Sequence, residues 1–155
     1  FGLRYGFGNE VTEDSEKDKI IYNGFEFIYL NGFWTIGNFA FKYNPEEAPN
    51  IGENLTDGTG YMNLPLYLYS ENPESEREIS GNLGQIAERI QLACPEGTKC
   101  SEDIPIKNCE NNFIIIKESE NERIFQIDKC VYIEGNLENL TKLTDSFLFK
   151  ILGVR

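Results

Sequence analysis

Two Asn-Gly dipeptides, at residues 23–24 and 31–32, place the tightest constraint on how this chain folds. Both central positions of a two-residue hairpin turn need a positive φ angle, which Asn and Gly adopt most readily. The second dipeptide separates the apolar runs FEFIYL and FWTI, and Gly37-Asn38 interrupts the next run. The sequence therefore predicts an antiparallel β-meander over residues 20–43.

Aromatic side chains crowd this meander and allow two interpretations. Exposed Tyr and Trp rings would suit stacking on sugars, and Tyr29, Trp34 and Tyr43 are the candidate residues for that role. Phe is more frequent here than Tyr or Trp, and Phe is usually buried. Strands also favour aromatic residues for packing reasons alone. We therefore expect most of these rings to face the interior of a sheet.

Two helices are predicted further along the chain. The first is indicated by the helical spacing of Ile79, Leu83, Ile86 and Ile90, and it should end near Cys94-Pro95. The second is indicated by an apolar stripe that ends before Gly153. That stripe consists of Leu137, Leu140, Leu143, Phe147 and Ile151.

Strands and helices occur in blocks, which favours an α+β fold over strict strand–helix alternation. A further strand is predicted at residues 64–70. The expected order is an N-terminal antiparallel β-meander, one central helix, a long disulfide-bridged β-hairpin, and a C-terminal helix packed on the sheet. We assign residues 20–155 to a single α+β domain and residues 1–19 to an N-terminal arm.

The four cysteines are Cys94, Cys100, Cys109 and Cys130. Their even number suits disulfides, and their spacing lacks the two close pairs of a zinc ribbon. In the segment from 106 to 133, we take residues whose numbers add to 239 as cross-strand partners. Residues of opposite charge then face each other, and apolar residues face apolar residues. That register sets Cys109 opposite Cys130. It predicts a long hairpin closed by Cys109–Cys130, and a short loop closed by Cys94–Cys100.

The charge balance excludes several classes of partner. There are 26 acidic and 14 basic residues, which gives a formal charge of -12. Nucleic acid binding requires Lys and Arg to neutralise phosphates, and an anionic membrane surface attracts the same residues. We therefore expect no nucleic acid partner, and membrane contact only through an anchor upstream of the printed sequence.

Catalytic and metal-binding signals are weak in this sequence. It contains no His, the commonest general base and metal ligand. No nucleophile elbow or phosphate loop is present, and the acidic clusters do not match an EF-hand loop. We expect no cofactor, no bound metal and no enzymatic activity.

Two features favour an extracytoplasmic protein that contacts other proteins. Sequons for N-glycosylation occur at Asn54 and Asn139, and the same chain carries an even number of cysteines. Residues 1–8 carry Phe1, Leu3, Tyr5 and Phe7 at alternate positions, with glycines and Arg4 between them. This period of two is typical of a strand that orders by pairing with an existing sheet edge. The charged residues 9–19 would then act as a tether.

Three segments carry a resemblance to known proteins: YNGFEF before an aromatic hairpin, CVYIEGN, and the terminal LTDSFLFKILGV. Here the chain resembles a group of uncharacterised archaeal proteins, and the likeness covers most of the chain from residue 20. These proteins resemble extracytoplasmic domains carried behind an N-terminal membrane segment. The resemblance implies that location, and it brings no activity, cofactor or catalytic residue.

These observations predict a structural or interaction protein at a cell surface, with a protein partner or further copies of itself. A subunit of a surface assembly that uses the arm is the favoured form. One alternative is a carbohydrate-binding module with an exposed, coplanar aromatic face. Another is a carboxylate-dependent hydrolase, whose cleft would hold two facing acids.

Overall fold

The computed structural model describes residues 18–101 and 103–155, and its fold is α+β as predicted. The arm positions named above, Phe1, Leu3, Tyr5 and Phe7, lie outside the described residues. The first sheet begins at Lys19, so the domain starts within the last residues assigned to the arm.

The predicted meander is confirmed as a four-stranded antiparallel sheet in the order β1-β2-β3-β4. Both Asn-Gly turns have the expected positive φ angles, 50° and 81° in the first and 53° and 88° in the second. The strands are β1 (Lys19–Tyr22), β2 (Phe25–Leu30), β3 (Phe33–Ile36) and β4 (Phe39–Phe41).

A second sheet of five strands follows, and most of it is parallel. Its spatial order is β10-β11-β9-β5-β6, with only β10 antiparallel to its neighbour. The strands are β5 (Pro65–Ser70), β6 (Arg89–Leu92), β9 (Phe113–Glu118), β10 (Arg123–Ile127) and β11 (Cys130–Gly135). Two short strands, β7 (Cys94–Pro95) and β8 (Ile106–Lys107), pair with each other beside it.

The helices are α1 (Pro73–Leu83) and α2 (Leu140–Ile151), and short 3-10 turns cover Gly58–Tyr61 and Leu137–Asn139. Helix α1 begins where Asn72 accepts a hydrogen bond from the Glu74 amide and Pro73 takes the first helical position. Helix α2 ends before Gly153, whose φ of 84° matches the predicted stop.

The central helix is shorter than the spacing of its apolar residues predicted. It ends at Leu83, because Gly81, Asn82 and Gly84 are poor helix formers. Ile90 lies instead on β6, opposite Leu66 of β5. A helical spacing of apolar residues therefore continued across a turn into an edge strand, where Ile90 is half-buried against the core.

The predicted long hairpin between residues 106 and 133 is wrong in its register. Strands β9 and β10 are not neighbours, because β11 lies between them and pairs parallel with β9. The hairpin is instead β10–β11, with a turn at Asp128-Lys129 where Asp128 has a φ of 53°. A positive φ at Asp is tolerated in tight turns, which makes this two-residue turn possible.

Both predicted disulfides are present, Cys94–Cys100 and Cys109–Cys130. The second forms although its strands do not pair as expected. Cys109 lies in the turn before β9, where its carbonyl accepts a hydrogen bond from the Lys129 amide at 3.2 Å. The turn of the β10–β11 hairpin thus lies against the start of β9 and brings Cys130 within reach.

The two helices pack between the sheets, and α2 is the centre of the core. Ten of its twelve residues are buried, so it is covered on nearly every side rather than along one stripe. The Phe149 ring contacts Phe41 and Phe27 of the first sheet, with ring centroids 4.7 and 5.8 Å apart. Other α2 side chains pack on β9 and β11. Of the predicted stripe, Leu137 alone is exposed, because it lies in the 3-10 turn before the helix.

Replacing each disulfide by serines should rank the two bridges by loop length. We expect loss of about 3 kcal/mol in unfolding free energy for the Cys109→Ser, Cys130→Ser variant, whose cysteines are 21 residues apart. The Cys94→Ser, Cys100→Ser variant should lose about 2 kcal/mol, since its cysteines are 6 apart. Urea unfolding of both variants beside the oxidised wild type measures these losses, and a reversed order would contradict the prediction.

Candidate interaction surface

One face of the first sheet packs on the helices, and the other is apolar although it has no partner among the described residues. Alternation along the strands places Phe27 and Phe41 on the inner face, where both are fully buried. The opposite face carries four large side chains that remain exposed. They are Ile21 (64% exposed), Ile28 (39%), Leu30 (55%) and Phe33 (43%), and we call them the outer apolar patch.

The outer apolar patch extends over three strands. Leu30 of β2 lies directly opposite Phe33 of β3, and Ile28 precedes Leu30 on the same face of β2. Ile21 of β1 is the diagonal neighbour of Ile28. Two charged residues share this face, because Lys19 lies opposite Ile28 and Glu26 lies opposite Ile21, with Lys19 Nζ 3.9 Å from a Glu26 carboxylate oxygen. The face therefore combines the apolar group of Ile28, Leu30 and Phe33 with Ile21 and one exposed ion pair beside it.

The far edge of the first sheet, β4, is closed by helix side chains. Asn82 of α1 pairs with the backbone of Ala40 in both directions, at 3.0 and 2.9 Å. Glu78 of α1 accepts from the Lys42 amide at 2.9 Å, and Asp145 of α2 accepts from the Tyr43 amide at 3.0 Å. These side chains bond the backbone groups of residues 40–43 that a fifth strand would otherwise pair with.

Glu78 and Asp145 form a buried carboxyl pair beneath this edge. Each uses one oxygen for a β4-side amide, and the remaining oxygens, Glu78 Oε1 and Asp145 Oδ1, are buried without another partner. Burial also raises the pKa of Glu78, so both carboxyl groups favour the protonated form. Burial raises the pKa of Asp145 well above its usual range, and the hydrogen bond and charge of Glu78 raise it further.

The pair does not form the open cleft that a carboxylate-dependent hydrolase would use. A cavity of about 300 Å³ reaches Glu78, together with Glu74 and Arg77, but Asp145 does not line it. Asp145 is 0% exposed, so a substrate has no access to its carboxyl group. The pair therefore serves as a structural link between β4 and the helices. Asp145 is the only acidic residue in the apolar sequence of α2, and this was the feature of the sequence that could have indicated the pair.

The three candidate sugar-stacking residues do not form a flat platform. Tyr29 and Trp34 are neighbours, with ring centroids 5.1 Å apart, but their planes are tilted by 54°. Trp34 is half-buried against the core. Tyr43 lies beyond the end of β4 under Lys142, whose Nζ is 5.1 Å from the ring centroid. The prediction that most rings of the meander face inward holds for Phe27 and Phe41 but not for the exposed Phe33.

A stacked aromatic pair occurs on the outer face of the second sheet, at residues that the sequence reasoning did not select. The rings of Phe125 and Tyr132 have centroids 5.0 Å apart and planes within 16° of parallel. The Arg123 guanidinium covers Phe125 at 4.1 Å from its centroid. The alternation in RIFQI and CVYIEG was the available signal, since it places these side chains on one face.

A wide groove lies on the same face, beside the Cys109–Cys130 disulfide. It encloses about 910 Å³ and is open to solvent. Its floor includes Ile115 and Tyr132, and its rim carries charges of both signs. These charged residues are Glu96, Lys107, Glu110, Asp128 and Lys129. The described residues contain no group of three Cys, Asp or Glu side chains placed to hold a metal ion.

The two sequons differ in their surroundings. Asn54 and Thr56 are exposed on a loop beside β10. Asn139 lies at the start of α2 and donates to Glu122 at 2.9 Å, and its sequon partner Thr141 is buried. Thr141 also donates to Glu74 at 2.8 Å. Thr56 also bonds the Gln126 side chain through its amide and its hydroxyl, at 2.8 and 3.0 Å. The folded protein therefore exposes the first sequon at its surface, whereas the Thr141 of the second is buried.

No protein family model, curated protein or solved structure matches this chain.

Replacing Asp145 by Asn should reduce a pH dependence of stability. The protonated Asp145 stabilises the fold fully below the ordinary carboxyl pKa of about 4, and this stabilisation is lost as the pH rises through the raised folded-state pKa. An Asn at this position can donate to Glu78 and accept from the Tyr43 amide at every pH. Urea unfolding from acid to alkaline pH should show a decline for the wild type that is smaller in Asp145→Asn, where of this pair only the raised pKa of Glu78 remains.

Glu74→Gln is the matched control for this experiment. The hydrogen bond from Lys42 lowers the pKa of Glu74, so its stabilisation is present above the ordinary pKa and is lost on acidification. The control should keep the alkaline decline of the wild type. A decline that persists unchanged in Asp145→Asn would show that Asp145 does not hold the proton.

Asn54 should carry a glycan in protein from its native source more completely than Asn139, because its loop and its Thr56 are accessible after folding. Intact mass measurement of the wild type, Asn54→Gln and Asn139→Gln compares the two sites. A wild-type mass equal to that of the bare polypeptide would refute glycosylation at both.

Proposed function

We propose that this protein is an extracytoplasmic interaction protein that works as a subunit of a cell-surface assembly. The observation that carries the proposal is the outer apolar patch. Single exposed apolar residues are common on soluble proteins, but a contiguous patch marks a surface that contacts something. Here four adjacent large side chains, Ile21, Ile28, Leu30 and Phe33, are each at least 39% exposed.

The acidic charge favours a protein as the partner. A formal charge of -12 repels phosphate backbones and anionic lipid surfaces. The outer face of the sheet combines the exposed apolar side chains with one ion pair, and protein interfaces likewise contain both apolar and polar groups. A protein surface therefore suits the patch better than nucleic acid or membrane.

The proposed location is supported by the two disulfides, which form and persist outside the reducing cytosol. The resemblance of the sequence to archaeal extracytoplasmic domains points the same way. In the described ranges, neither helix has the length and apolar character needed to cross a membrane.

The alternatives have less support. Sugar binding would need free aromatic faces, but Tyr29 and Trp34 are tilted. The Phe125 ring is covered by Arg123 on the second sheet. Hydrolysis by paired carboxylates would need access to Asp145, which is fully buried. We accordingly propose no enzymatic activity.

Replacing Leu30 by Asp should abolish self-association or partner binding, because a charge in the middle of an apolar interface is costly to desolvate. Sedimentation velocity of the full chain at rising concentration measures the assembly. Ile106→Asp is the matched control, since Ile106 is also highly exposed, at 67%, but lies on β8 away from the patch. Equal association by both variants, or a wild type that remains a monomer at every concentration, would contradict the proposal.

A further inference from the structure

The first sheet has one closed edge and one open edge. The β4 edge is closed by Asn82, Glu78 and Asp145, as described above. In residues 18–101 and 103–155, the strand β1 pairs with β2 alone. An unpaired edge presents N–H and C=O groups that another strand can bond, so β1 is the position where this sheet can grow.

The β1 register shows which groups face outward. The Tyr29 amide donates to the Asp18 carbonyl at 2.8 Å, so Asp18 points its backbone groups toward β2. Groups alternate along a strand, and Lys19 and Ile21 therefore point theirs to the open edge. The Ile21 side chain belongs to the outer apolar patch. One residue thus offers both backbone hydrogen bonds and an apolar contact.

We propose that residues 1–8 of a second copy of this chain add along β1 as a fifth strand, with Phe1, Leu3, Tyr5 and Phe7 on the side of the outer apolar patch. The inference rests on the proposed function and names the partner of that surface. These residues alternate bulky side chains with glycines and Arg4, so a strand would place all its bulk on one face. Its glycines make such a strand weak alone, and pairing with β1 would supply the missing hydrogen bonds.

The inner side of β1 is already occupied, which directs the bulky side chains outward. Asn23 donates to the Val154 carbonyl at 2.9 Å, immediately after β1. The Arg155 guanidinium lies 6.0 Å from the ring centroid of Tyr22. The chain segment after α2 therefore covers the inner face at this edge. The outer face beside Ile21 is uncovered in the described structure, and it combines the exposed Ile21 side chain with the Lys19–Glu26 ion pair.

The connecting segment favours a second copy over a return to the same sheet. Residues 9–17 separate the eight-residue strand from Asp18, and they contain four acids but no Gly or Pro. Hairpin loops usually have two to five residues with such turn formers, and like charges favour an extended linker. Nine residues span at most about 30 Å. A domain of this length has a radius of gyration of about 15 Å, so the linker can reach a neighbouring copy.

Charge supports the same assignment. Copies with a formal charge of -12 repel one another, so an interface needs segments that add no acid. Residues 1–8 contain Arg4 and no acidic residue. On the acceptor, Asp18 directly precedes β1 and alternates with Ile20 and Tyr22, so it lies on the inner face, where Arg4 would also lie, and complements that positive charge. Each copy would both donate a strand and accept one, which links copies in succession.

Complementation between two defective chains tests the proposal. A chain that lacks residues 1–8 can accept a strand but cannot donate one, and it keeps every core residue that the structure describes. A full chain with Ile21→Pro can donate but cannot accept, because Pro removes an outward N–H that β2 does not use. Ile21→Val keeps that N–H and is the matched control.

We expect the wild type and Ile21→Val to associate in sedimentation velocity, and each defective chain to be monomeric alone. A mixture of the two defective chains should form a species with their summed mass. A monomeric wild type, continued association without residues 1–8, a mixture that stays monomeric, or a shortened chain that does not fold would each overturn the inference. Association that survives loss of residues 1–8 but is abolished by Leu30→Asp would overturn it while leaving the proposed function standing.

Discussion

The structure depends on how the free edge of β4 is satisfied. Three side chains from two helices, Asn82, Glu78 and Asp145, bond the backbone that a further strand would otherwise pair with. Because α1 and α2 also pack on the second sheet, these bonds join two sheets that share no strand. The cost is a buried carboxyl pair, which is tolerable only while it holds a proton and keeps its hydrogen bonds.

This arrangement gives the first sheet two different edges and two different faces. Its inner face and β4 edge serve the fold, through Phe27, Phe41 and the helix side chains. Its outer face and β1 edge are left over from folding, yet they carry Ile21, Leu30 and Phe33. A sheet that only needed to cover the helices would place polar residues there. The exposed apolar residues on this face are the physical basis for the interaction role proposed above.

Local signals predicted the first half of the fold well, because the Asn-Gly turns specify both hairpins and their register. The second half depended on long-range pairing that no local signal carries. Opposite charges that could face each other in residues 106–133 suggested that β9 and β10 pair, although β11 actually separates them. The disulfide Cys109–Cys130 fits both topologies, so it could not distinguish them. The sequence FEFIYL did indicate the outer apolar patch, because both alternating sets of its side chains include large apolar residues. The sequence analysis nevertheless assigned the aromatic residues there mainly to the core.

The position of α2 determines when the protein can fold during synthesis. This helix is formed by residues 140–151, the last regular element of the described chain, and yet both sheets pack against it. As the chain emerges from its N-terminus, the first meander and the parallel strands are made before the surface that covers them exists. Folding of this domain is therefore a late, nearly all-or-none event that requires residues 140–151 to be available. An export route that keeps the chain extended until residue 151 has crossed the membrane would match that order. If synthesis or export stopped shortly before residue 140, both sheets would be left with exposed inner faces.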